Sequence, residues 1–370
     1  MERPLRLAKS LASLLAPIAI VLVAGSNIPL PGIDPEFFGR QASGNTGRAM
    51  ERLSVLALGL TPILNGLAIG EICRVIFQWC PAPDNAPRST APWTTIMTRL
   101  VVLTIAALQA YGLAEGLEAS SALNAGGSAA KSVIVLTLVA STAVLLWLSE
   151  RVSVPALRHG VWLLWSATFF LSLPGNLAGP VEATRVGAMP AVNWLLSAAY
   201  IVLSAAAVVA VNLFWIKRIR ASGNWGPHLN LDELSIFAWP IFLSSYAGGY
   251  VLMLLILLTQ GNWQLSGIAL KATASLTIAV LIPVFVFGYA RLYLKALPDP
   301  ALSRSAIYSA AAIIAALEIL LFLLGSFLIE IVDLPLSVNG VLLIVVVTTF
   351  LAAGHTRERS QRSADDKIYF

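Results

Sequence analysis

Charge is what this chain has least of. Lys, Arg, Asp and Glu together make up 12% of its 370 residues, against roughly 25% in a soluble globular domain. That shortage excludes a solvated surface over most of the chain. Cysteine is nearly missing as well: Cys73 and Cys80 are the two present, with Cys73 inside an apolar run, so neither a disulfide framework nor a thiolate metal site is expected. The histidines His159, His228 and His355 stand far apart at no ligand spacing. The sequence holds no HExxH, no glycine-rich phosphate loop and no recognised nucleophile setting around a serine, and its carboxylates gather mostly at the ends of apolar runs. No enzyme, cofactor or metal is expected.

What is present is hydrocarbon. Apolar residues are 58% of the chain. One crossing of about 30 Å of lipid takes about 20 of them, which leaves room for about ten spans joined by short loops. The predicted spans are Leu11 to Leu30, Leu53 to Ile76, Thr95 to Leu113, Ser132 to Leu148 and Val161 to Leu177, then Val192 to Ile216, Leu234 to Leu258, Ile268 to Tyr289, Ile307 to Ile329 and Leu336 to Ala353. Arg3, Arg6 and Lys9 ahead of the first run, with Ala24, Gly25 and Ser26 near its end, would also fit a cleaved signal. A core of about 20 residues is long for that, so a retained span is the preferred reading.

A pI near 9.4 could point to nucleic acid, but the basic residues divide by side instead. Taking alternate ends of the ten spans, Lys and Arg number 18 on the side of the N-terminus and 6 on the other. The positive-inside rule then puts both termini in the cytoplasm of a plasma-membrane protein and assigns the basic excess to orientation, with no nucleic acid partner. The second and seventh spans echo each other, Thr61, Pro62, Ile63, Leu64, Asn65, Gly66 against Trp239, Pro240, Ile241, Phe242, Leu243, Ser244. The expected fold is therefore an all-α polytopic membrane protein in two pseudo-symmetric, inverted five-helix halves, 1–178 and 179–354, followed by a cytoplasmic tail, 355–370. Pro62 and Pro240 are expected to kink two helices facing a central axis. Inside the spans Glu71, Gln109, Glu318 and Lys271 are the polar groups that need a cavity or a partner. Interhelical hydrogen bonds for Gln109 and Glu318, and a snorkelling Lys271, are the structural alternatives.

At Ile28, Pro29, Leu30, Pro31, Gly32, Ile33, Asp34 the chain resembles the loop after the first helix of the SecY family. The likeness continues through Ser54, Ala57, Leu58, Gly59, Pro62 and Ile69, then Gln109, Gly112 and Ala114, then Trp147, Leu148, Glu150, Gly160, Leu173 and Pro174. It resumes at His228, Leu229, Leu231, Pro240, Ser244 and Ser245, and again at Gly340 and Leu342 to Val346. The resemblance implies an hourglass pore closed by apolar side chains, opening sideways between the second and seventh helices. Carried over position by position, the ring is Leu60, Leu64, Val161, Trp165, Phe242 and Ile344, and the lateral-gate candidates are Pro62, Glu71, Gln109 and Pro240. It implies an unfolded polypeptide as substrate, a SecE-like single-span subunit, membrane lipid, and a motor or ribosome as driver.

Departures accompany it. The segment 35–49, where the family has a plug, is short and rich in Gly, Ser and Asn. The two cytoplasmic loops that dock SecA or the ribosome are cut down to Lys217, Arg218 and Arg220, then Arg291, Lys295 and Arg304. The expected function is a specialised SecY-like channel for translocation or insertion. The alternatives are a small-solute transporter using Glu71, Lys271 or Glu318, and a non-conducting structural or regulatory paralogue.

Overall fold

In hydrocarbon a backbone has no water to hydrogen-bond with, so apolar runs must satisfy their own N–H and C=O groups, and the helix does this within one segment. The computed structural model follows that rule and describes residues 18–34, 36, 53–77, 91–123, 127–152, 157, 159–221, 234–258, 267–296, 300–332, 334–336 and 338–368. Its helices are α1 (Ile18–Asn27), α2 (Thr61–Phe77), α3 (Ala91–Ala119), α4 (Ser128–Arg151), α5 (Val161–Arg185), α6 (Val192–Ala221), α7 (Ser235–Leu258), α8 (Gly267–Ala296), α9 (Pro300–Ile331) and α10 (Gly340–Ile368). Seven of these, α3 to α9, are long and apolar enough to cross a membrane, while α1 and the Gly340–Gly354 part of α10 are shorter apolar helices. The protein is an all-α polytopic membrane protein. The 35–49 segment, apart from Glu36, lies outside the described residues, as does most of the 217–227 loop.

Several helices run well beyond the predicted spans, because hydropathy marks where lipid ends and not where hydrogen bonding ends. The tail is one case: α10 continues to Ile368. The Arg291–Arg304 loop is another, since α8 reaches Ala296 and α9 starts at Pro300, a first helical position where a missing N–H costs nothing.

The chain folds as two compact units. The first comprises Met1–Gly70, Pro83–Ser153 and His159–Gly179, and the second Glu71–Ala82, Val154–Arg158 and Pro180–Phe370. In the first unit α3 packs along α4. Arg99 clamps the pair at one end with two hydrogen bonds to Glu150, both 2.8 Å. Near the other end Lys131 bonds Glu115 at 2.8 Å and also pairs with Glu118. An extended segment is pinned against this pair: Leu30 N–H donates to the Leu53 carbonyl and Asp34 N–H to that of Ala122, both at 2.9 Å. Leu30, Ile33, Ala110, Ala114 and Leu138 share its core. Gly160 precedes α5 with the carbonyls of Ser149 and Val152 where a Cβ would sit.

In the second unit α6, α9 and α10 pack on one another, α7 lies against α8 and α10, and α8 against α9. The Tyr200 hydroxyl donates to the Leu321 carbonyl at 3.2 Å, and Asn193 Nδ2 to that of Val332 at 2.8 Å. Gly325 and Gly340 let the three helices close around that point, since a Cβ on Gly325 would meet the Gly340 backbone nitrogen at 3.0 Å.

Candidate pore and gate residues

The expectation of two matching kinked helices is corrected here. Ser54–Leu60 is a chain of tight turns, with Ala57 N–H on the Ser54 carbonyl, Gly59 on Leu56 and Thr61 on Leu58. Gly59 takes φ +52°, the left-handed region a side chain disfavours. Only then does α2 begin, so Pro62 sits in its first turn, where its absent N–H was never needed. Pro240 instead lies inside α7. Ser244 and Ser245 donate their hydroxyls back to the Pro240 and Ile241 carbonyls at 2.7 and 3.0 Å.

In the first unit Leu60 and Leu64 are neighbours one turn apart at the head of α2, both buried. Val161 opens α5 and is buried, and Trp165, half-buried one turn on, holds its ring 6.0 Å from that of Trp162. In the second unit Phe242 and Ile344 are buried on α7 and α10, which pack together. The Phe242 ring sits between Trp239 at 6.0 Å and Tyr246 at 4.5 Å.

Glu71, in the C-terminal half of α2, is 5% exposed and fully engaged within the second unit. It accepts from the Tyr289 hydroxyl of α8 at 2.8 Å. It also accepts from Arg74 Nη1 at 3.1 and 3.3 Å, one turn along its own helix. Two residues are thus added to the site that the sequence did not single out. Beside them a Cβ on Gly288 would meet Val75 Cγ1 at 2.6 Å, so α2 and α8 approach closely here. A carboxylate with both oxygens bonded can stay buried, whereas an unpaired one could not. Gln109 is half-buried on α3 in the first unit. Lys271 pairs with Glu330 at 2.7 Å between the ends of α8 and α9.

The docking candidates are not loop residues, a second correction. Lys217, Arg218 and Arg220 fall in the last turns of α6, Arg291 and Lys295 in those of α8, and Arg304 in the first turns of α9. Lys217, Arg218, Lys295 and Arg304 are exposed. Cations at helix C-termini complement the dipole there, which accounts for the first five without invoking a docked motor or ribosome.

A family profile described as SecY matches residues 54–296. The chain is 28% identical over 223 residues to the protein translocase subunit SecY of Rickettsia bellii, covering 55% of this chain and 50% of that one. It is 27% identical over 179 residues to the subunit of Pseudomonas aeruginosa, covering 45% and 40%. The chain thus spans about half the length of these relatives or less. Among solved structures it is similar to Sec61 in the canine ribosome–channel complex from the endoplasmic reticulum, with a TM-score of 0.56 at 11% identity over 94% of this chain and 91% of that one. It is likewise similar to a structure described as a protein conducting channel, with a TM-score of 0.54 at 11% identity and the same coverage. The structural likenesses define a multi-pass, all-α membrane fold. The chain belongs to the SecY family.

Proposed function

We propose that this chain is the channel subunit of a specialised SecY-type translocase, passing or inserting unfolded polypeptide without catalysis of its own. The observation that carries the reading is the SecY match over residues 54–296, from the turns before α2 to the end of α8. In this reading ten spans form two inverted halves, 1–178 and 179–354, in the plasma membrane with both termini in the cytoplasm. Leu60, Leu64, Val161, Trp165, Phe242 and Ile344 make an apolar constriction that excludes water and ions by dewetting and yields to a passing chain whatever its sequence. Pro62, Glu71, Gln109 and Pro240 line the lateral gate, and Glu71 with Tyr289 is its polar catch. A SecE-like single-span subunit completes the channel.

The solute-transporter alternative is weakened at two of its three carriers, since Glu71 is held by Tyr289 and Arg74 and Lys271 by Glu330, which leaves it Glu318 alone. A coupling group has to be free to change partners in each cycle. Short basic helix ends favour a dedicated partner over SecA or the ribosome. The reading is tested by purifying the chain in mild detergent and reconstituting it. Copurification of a single-span subunit and protease-protected polypeptide in the vesicles support it, and intact vesicles that protect no polypeptide with any copurified partner contradict it.

A further inference from the structure

Glu318 occupies the middle of α9's buried stripe, which recurs at three- and four-residue spacing as Ala311, Ile314, Ala315, Glu318, Leu321 and Phe322. Its side chain is 0% exposed, and neither carboxylate oxygen has a hydrogen-bond partner. The other five side chains of this stripe are apolar, so Glu318 is the one polar side chain in it.

The surroundings can be placed by register. Tyr200 on Leu321 and Asn193 on Val332 fix α6 against α9, which brings buried Ser204 to the level of Glu318. Gly340 backs onto Leu321 and Phe322, and this brings Leu343 and Ile344 of α10 to the same level. Lys271 with Glu330 and Phe287 with Tyr308 align α8, setting its apolar stretch around Val280 opposite. The nearest titratable or charged groups on these packed helices are therefore Tyr200, about one turn outward on α6, and Lys271 and Tyr289 on α8, each about 13 Å along the axis at 1.5 Å per residue, with Lys217, Arg218 and Arg220 of α6 and Arg291, Tyr293 and Lys295 of α8 farther off toward the helix ends. On α10 the stretch from Gly340 to Gly354 carries none. Among the described residues no cation and no set of converging oxygens lies against the carboxyl, so neither an ion pair nor a metal ion is available there to hold it charged.

An ionised carboxylate without a partner in such a site is prohibitively costly, and the group neutralises instead. We infer that Glu318 is a proton-binding site in the second unit, held as the neutral carboxylic acid by the packing of α6, α9 and α10. The proton is then a ligand of that packing. Releasing it requires α9 to part from its neighbours far enough to admit water or a cation, which makes Glu318 a proton-linked latch within the C-terminal helices.

The test is infrared spectroscopy of the purified full chain at neutral pH, with and without ¹³C-labelled glutamate. The expected result is a carboxylic-acid C=O band above the amide region that shifts with the label. It persists in Glu71→Gln and disappears in Glu318→Gln and in Glu318→Leu. Absence of a label-sensitive acid band in the wild type overturns the inference, as does a band that survives in either folded Glu318 variant. Glu71 and Glu318 are the buried glutamates among the described residues. If neither Glu318 variant folds, the wild-type band and its response to Glu71→Gln alone decide: persistence supports the site and loss overturns it.

Discussion

The Tyr289 hydroxyl donates to Glu71 Oε2 at 2.8 Å across 218 positions of sequence, tying the C-terminal half of α2 to α8 within one compact unit. Removing the hydroxyl leaves a buried carboxylate oxygen short of a donor, a loss of about 1–3 kcal/mol. Tyr289→Phe should therefore lower the melting temperature in detergent. Glu71→Gln, which keeps a hydrogen-bonding amide, should lower it less than Glu71→Ala. If this pair is the gate's catch, Tyr289→Phe should also raise export of substrates with weakened signal sequences, and equal export by wild type and variant would separate the bond from gating.

The proposed ring carries aromatics at Trp165 and Phe242, where broad flat side chains would narrow an opening more than aliphatic ones. We expect a tight resting seal that offsets the short 35–49 segment. The double variant Trp165→Gly, Phe242→Gly should make vesicles conduct ions, read as current across a planar bilayer. A folded double variant no leakier than wild type would remove these positions from the ring.

Gly160 has the Val152 carbonyl where a Cβ would stand, and backbone cannot rotate aside as a side chain can. Gly160→Ala should cost about 3 kcal/mol, the upper end of overpacking effects, and show as a lower melting temperature and poor yield. Gly175→Ala, inside α5 with open space around it, should cost little by comparison.

Orientation follows from the 18 to 6 division of basic residues. Reporter fusions after Asp84, His159, Gly223, Asp299 and Arg362 should report cytoplasm, and fusions after Gly44, Ala125, Thr184, Gln260 and Asp333 the opposite side. Two or more sites reporting the wrong side would end the ten-span arrangement.

Binding to the general motor should be weak. A stable interface of standard size buries about 1,600 Å² in total, and Lys217, Arg218, Arg220, Arg291, Lys295 and Arg304 sit on helix ends close to the membrane, where each can attract anionic lipid at about 1 kcal/mol. Growth of a strain depleted of its housekeeping channel and rescued by this chain, or submicromolar binding to SecA, would show that the lost loops do not matter.

The membrane helices and the family were legible in the sequence because lipid imposes long apolar runs and because family fragments recur in order along most of the chain. The start of α2 was not. Leu53 to Leu60 is as apolar as a helix, but Leu53 and Val55 pair with Leu30 and Ile28 and Gly59 takes a positive φ, and the stretch is a run of turns. Helix ends at Ala221, Ala296 and Ile368 escaped for the opposite reason, since polar residues there continue helices that lipid no longer requires. Glu71 drew notice as a carboxylate inside a span. Its partner Tyr289 could not, because nothing local marks a contact made 218 residues away.

The central claim, that polypeptide passes through this chain, is tested most directly by photocrosslinking. A crosslinking amino acid is placed in turn at Leu60, Leu64, Val161, Trp165, Phe242 and Ile344, with exposed Leu108 of α3 as the control, while an exported polypeptide is arrested in transit. The account predicts crosslinks to the arrested chain from ring positions in both units and none from Leu108. Crosslinks to lipid alone at all six positions, with the polypeptide and the protein both intact, would contradict it.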